Sequence, residues 1–243
     1  MKRVLSNAEI ECLGSKMVDH YFGGEQYIKE WVDIDSLVQV YLGLKVEYVN
    51  IQEENFDKIG FLADGKRTIR IKEYGKIQDV CFSENTIVLD RYLLNAKENN
   101  HRRFVLAHEA GHYILNQAKG LRAQGAFHTS PYGYQGVSLD VIADTCNLEE
   151  IQANRIAAVL LMPEQLVKQE IIQIFGRDTL PLYDGEYISP DDQERMVQIC
   201  NHLQVSFSAL FNRLKELGLT EWRPYEEYLQ NMFSTRRADY EPW

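Results

Sequence analysis

His108, Glu109 and His112 stand in the order His-Glu-x-x-His inside residues 103–116, RFVLAHEAGHYILN. If that stretch is helical, the two histidines lie one turn apart on one face. Two imidazoles so placed can grip one small metal ion. The carboxylate of Glu109 then stands beside it, where it can take a proton from a water that the ion activates. Two core histidines satisfied by neighbouring groups would share this spacing, so the context of the motif has to decide. Phe104, His108, Gly111, His112 and Leu115 form one stripe at helical spacing, and the face that would hold the ion therefore also faces the interior. Gly111 costs a helix up to about 1 kcal/mol against alanine, which points to something that comes too close there for a side chain.

The elements that must position this group follow from the pattern on either side. Downstream, a helix begins near Asn147 and runs through LEEIQANRIAAVLLMP, where Leu148, Ile151, Ile156, Ala157, Val159, Leu160 and Leu161 make it largely buried. Pro163 starts a further helix to about Phe175. Glu149 and Glu150 stand at the front of the buried helix. A carboxylate heading into a core needs a cation, and a metal would be one; acidic residues also suit any helix N-terminus. With the histidine motif upstream, Glu150 is the favoured third ligand.

Upstream, Ser6 and Glu9 make a capping box for a helix to about Tyr21, which Gly23-Gly24 ends, and a second helix is expected from Asp33 or Asp35 to about Tyr41, closed by Gly43. The period then changes. Residues 44–49, 59–62, 68–72, 77–82 and 86–89 are short, partly alternating and rich in Ile, Val, Tyr and Phe, with Asp64-Gly65, Gly75 and Glu84-Asn85 between them. They predict a small, mainly antiparallel sheet with hairpin links, whose last strand leads into the histidine helix. The edge of such a sheet, alongside that helix, is where an extended peptide could add itself as a strand.

Residues 117–145 are the least regular stretch. His128, Tyr132 and Tyr134 in it are candidates to reach a metal or a reaction oxyanion, although a solvated loop explains them as well. Residues 176–190, GRDTLPLYDGEYISP, read as a turn-rich linker. Residues 191–203 and 206–217 read as two helices around a short turn with the cadence of a helix-turn-helix, for which packing is the favoured role. The chain is thus expected to be an α+β protein, mainly helical, with the small sheet beside the histidine helix. Residues 1–175 would form the body and 176–220 a linker and helical pair packed on it, followed by a tail, 221–243, of open role.

The chain has 243 residues, ample for a core, with 45% hydrophobic and 26% charged residues, the balance of an ordinary globular protein. A formal net charge of −10 makes the surface repel nucleic acid and anionic membranes, so direct DNA binding is not expected. Lys66, Arg67 and Arg70, or Arg236 and Arg237, read as solvated faces. Cys12, Cys81, Cys146 and Cys200 lie far apart with no C-x-x-C pair, which argues against a disulfide framework or a cysteine-rich zinc site. No apolar run has the length of a membrane span, and the N-terminus lacks the apolar core of a signal peptide, so a cytoplasmic location is expected.

Taken together, AHEAGHYIL, then EIQANRIAAVLLMP, then QVSFSALFNRLKELGL resemble the ImmA/IrrE family of zinc metallopeptidases, over roughly residues 5–220. The resemblance implies a gluzincin-like site. His108, His112 and Glu150 would be the ligands, Glu109 the general base, and Asn154 a partner that supports a ligand histidine. It also implies that the ion is Zn²⁺, although two histidines and a carboxylate accept Mn²⁺ or Fe²⁺ as well. It further implies a protein substrate, a helix-turn-helix repressor of the Xre type encoded nearby. Gln152 stands where that family usually has Glu, and residues 117–145 look longer than usual. The alternatives are a regulatory protein that sequesters such a repressor without cutting it, or the toxin of a two-gene module.

Overall fold

In a computed structural model, the structure describes residues 4–23, 31–52, 58–120, 127–129 and 145–238. Helix α1 (Asn7–Tyr21) starts with the expected capping box: the Ser6 hydroxyl accepts from the Glu9 amide, and the Glu9 carboxylate accepts from the Ser6 amide at 2.8 Å. The next helix departs from the regular form. It is one α-turn, α2 (Ile34–Ser36), capped by Asp33, and then widens into π-helical Leu37–Tyr41, where the Leu42 amide reaches back to the Leu37 carbonyl. Gly43 leaves it with a φ of 68°, open to glycine without strain.

Strands β1 (Lys45–Val49), β2 (Lys58–Leu62), β3 (Thr68–Glu73), β4 (Lys76–Cys81), β5 (Thr86–Asp90) and β6 (Phe127–Thr129) form two layers of pairing. The larger sheet has the order β1-β5-β2-β6, with β1 and β5 parallel and the other two pairings antiparallel. Only β3 and β4 make the expected hairpin, around Tyr74 and Gly75, both with positive φ as a tight two-residue hairpin turn requires. β5 is the sheet's central strand because Thr86, Ile87, Val88 and Leu89 are all buried, and a strand covered on both faces can take a parallel neighbour.

After two short 3₁₀ turns comes α3 (Asn99–Ala118), the histidine helix, then α4 (Thr145–Leu161) and α5 (Glu164–Phe175), the last ended by Gly176 at a φ of 66°. The segment expected to be a linker holds a strand instead. In β7 (Leu180–Leu182) every residue is buried, and it pairs in parallel with β8 (Thr220–Trp222). Local turn residues masked this strand, because its partner lies far along the chain. Between them, α6 (Pro190–Leu203) and α7 (Phe207–Glu216) put Met196, Ile199, Leu203, Leu210 and Leu214 into the same hydrophobic cluster as Ile10 of α1 and Ile156 of α4. Arg213 of α7 is buried there, forked onto Glu11 at 2.7 and 2.8 Å with its Nε donating to the Met162 carbonyl, which ties α7 to both α1 and the end of α4. In the tail, α8 (Tyr225–Ala238) stacks Tyr225 and Tyr228 on Tyr187, and Tyr228 on Tyr183. Among the described residues, no helix is long and apolar enough to cross a membrane.

Candidate metal centre

The histidine helix is buried along its length from Val105 to Gly111 because it lies between the sheet and α4. Two glycines set its distance from each neighbour. A β-carbon on Gly111 would stand 2.9 Å from the Ala153 carbonyl oxygen and 3.3 Å from the Ala153 Cα, so α3 and α4 touch backbone to backbone. On the other side, a β-carbon on Gly60 of β2 would meet Val105 Cγ1 at 2.9 Å and Leu89 Cδ2 at 3.0 Å, with Glu109 Oε1 at 3.5 Å. Both contacts are closer than van der Waals packing allows a side chain.

This close approach brings together the front of α4 and one face of α3. His108 Nε2 and His112 Nε2 lie 3.0 Å apart, with the two rings nearly perpendicular at 81°. Glu150 meets both: Oε2 is 3.2 Å from His108 Nε2, and Oε1 is 3.3 Å from His112 Nε2. A tetrahedral ion with bonds of about 2.0–2.1 Å would separate its ligands by roughly 3.3 Å. The donor set therefore fits a small divalent cation both in spacing and in kind. Three protein ligands leave one position for a reactant.

The groups around these donors support the same fit. His108 Nδ1 lies 2.8 Å from Asn154 Oδ1, one helical turn beyond Glu150 on α4. A carboxamide oxygen only accepts, so the proton sits on Nδ1 and the Nε2 lone pair is left for an ion. Glu109 is fully buried, and neither carboxylate oxygen has a hydrogen-bond partner among the described residues. Burial first, and then the charge of Glu150, push its carboxyl well above the ordinary range; the Leu62 amide, which faces it without closing a hydrogen bond, pulls the other way. An unpartnered carboxyl at zero exposure is costly, and a neighbouring cation with its water would offset that cost.

Glu149, the other acid at this helix front, is not part of the donor set and lies 3.7 Å from Lys119, at the end of α3. Gln152 is also not at the centre: buried, it donates from Nε2 to the Leu5 carbonyl at 2.7 Å, a bond that an ionised carboxylate could not make. His128 lies in β6, opposite Gly60 of β2. Tyr132 and Tyr134 lie outside the described residues. Sequence reasoning missed the part played by Gly60 and the Leu62 amide. A glycine in the middle of the strand pattern KIGFL was the available signal, since such a glycine marks a close approach.

A peptidase family model described as the IrrE N-terminal-like domain matches residues 41–215, a span that takes in the sheet, both helices of the donor set and nearly all of α7. No curated protein matches the chain.

Proposed function

Because the chain belongs to the peptidase family of IrrE N-terminal-like domains, we propose that it is a zinc-dependent endopeptidase whose centre is held by His108, His112 and Glu150. One observation carries the reading: three side chains of metal-ligating type whose donor atoms all lie within 4.8 Å of one another, beside a buried carboxyl with no hydrogen-bond partner among the described residues. The ion, when bound, supplies a Lewis acid that polarises the scissile carbonyl and acidifies a water.

The protein's own groups do the rest. Asn154 fixes the tautomer and the ring of His108. Glu109 takes a proton from the attacking water as its oxygen bonds to the carbonyl carbon, and then gives that proton to the amide nitrogen as the C–N bond breaks. The products are a carboxylate and an amine.

The substrate proposed is a helix-turn-helix transcriptional repressor in the cytoplasm, supported by the three-motif resemblance to ImmA/IrrE proteins and by the free thiols of Cys12, Cys81 and Cys200. The test combines metal analysis with digestion of the repressor encoded beside this gene. The native protein is expected to hold one zinc per chain and to cut the repressor. Glu109→Gln is expected to keep the zinc and lose cleavage. A fully active Glu109→Gln protein would overturn the assignment, and an intact, stable complex with the native protein would replace cleavage by sequestration.

A further inference from the structure

β2 is the strand of the larger sheet that borders the metal centre, since Gly60 and Leu62 on one of its faces both approach Glu109. Its inner edge is paired with β5. Its outer edge is where an extended segment could dock by main-chain hydrogen bonds, with its backbone running past the catalytic carboxyl. That edge is taken. β6, from the long segment between α3 and α4, pairs antiparallel with β2 in the register Lys58 to Thr129, Gly60 to His128 and Phe61 to Phe127. The residue pair at its middle includes Gly60, where a β-carbon would stand 3.5 Å from Glu109 Oε1. The hold is short and irregular: three residues, with a register shift between Lys58 and Gly60.

We propose that β6 is a placeholder for substrate: the protein's own chain fills the position of an incoming strand, and a substrate must displace it. This rests on the peptidase reading above, and it adds the conformation in which a substrate must present its segment to the centre. The centre accepts a segment of at least three residues that is extended and unpaired, lying antiparallel to β2, rather than a folded helix. It also makes the resting protein self-limiting, because only the fraction with β6 detached can bind substrate.

The experiment replaces residues 127–129 with Gly-Ser-Gly in the full-length chain, at constant loop length, in both the native and the Glu109→Gln backgrounds. A labelled synthetic peptide spanning residues 125–133 is then titrated by fluorescence anisotropy into the Glu109→Gln pair, where nothing can be cut. The replaced chain is expected to bind it about tenfold more tightly than the unreplaced one, the factor for an edge that is free about a tenth of the time. Amide exchange at residues 58–61 is expected to speed up in the replaced chain and to slow again with peptide. Equal peptide affinity in the two chains, or unchanged exchange at residues 58–61, overturns the placeholder. In the native background, the replaced chain with zinc is expected to digest reduced, carboxymethylated lactalbumin about tenfold faster. Tighter peptide binding with no digestion by either chain supports the placeholder and counts against the peptidase reading alone, so the two failures are separable.

Discussion

Gly111 stands so close to Ala153 that a β-carbon on it would lie 2.9 Å from the Ala153 carbonyl oxygen. That oxygen is backbone and cannot swing aside, so α3 and α4 would have to separate. Helix propensity alone makes Gly111→Ala favourable by up to about 1 kcal/mol. Overpacking costs about 1–3 kcal/mol, and the net expectation is destabilisation. Zinc affinity is expected to fall about tenfold or more, because Glu150 moves with α4. Thermal melts and chelator competition check both; a more stable variant with native zinc affinity would show that the helices do not touch there.

Glu149 and Glu150 are neighbours in the chain with opposite surroundings, one against Lys119 and one between two imidazoles. Glu150→Ala is expected to weaken zinc binding more than about 100-fold, beyond the loss from a supporting partner. Glu149→Ala leaves the buried Lys119 without this partner and is expected to cost stability, but it takes no donor from the ion and is expected to leave zinc affinity within a few-fold of native. Paired zinc titrations of the two variants decide it, and equal losses would mean the ligand has been misassigned.

Asn154 touches His108 at Nδ1, while Glu150 meets the other ring nitrogen, Nε2. Asn154→Ala frees the ring to change tautomer and is expected to cost about 10–100-fold in zinc affinity. Asn154→Asp keeps an acceptor for Nδ1 and is expected to recover most of that loss. Recovery by aspartate separates support of the ring from mere filling of space.

Cys200 is buried on α6, and burial raises its thiol from an ordinary value of 9.0 to about 12. The unfolded chain releases this proton near pH 9 while the folded chain keeps it. Its contribution to stability is therefore whole below pH 9 and declines as the pH rises toward 12, by at most about 1.4 kcal/mol per unit. Cys200→Ala is expected to remove that part of the slope. Urea melts at pH 8 and pH 10 measure the difference between the two proteins, and identical slopes would place the thiol in solvent.

Much of the centre was legible in the sequence because its parts are local. His108 and His112 share a face by spacing alone, the Ser6 and Glu9 cap is a four-residue pattern, and Gly111 betrayed a close neighbour without naming it. The resemblance then supplied Asn154, which the structure places on His108. What local pattern could not supply was pairing across distance. Nothing within residues 45–49 says that they lie parallel to residues 86–90, and nothing in LPL says that it meets residues 220–222. The widened turn at Leu37–Tyr41 is likewise indistinguishable from ordinary helix in the sequence, because five residues make little more than one turn, too few for the apolar spacing to reveal a wider period.

The ion pair between Lys119 and Glu149 joins the C-cap of α3 to the second turn of α4, close to the two roots of the long intervening segment. A stretch of chain that leaves and returns at neighbouring, fixed points can grow or shrink at an entropic penalty that rises only with the logarithm of its length. Descendants of this protein are thus free to splice new recognition elements between these two helices, and so change what is admitted, while the chemistry beneath stays where it is.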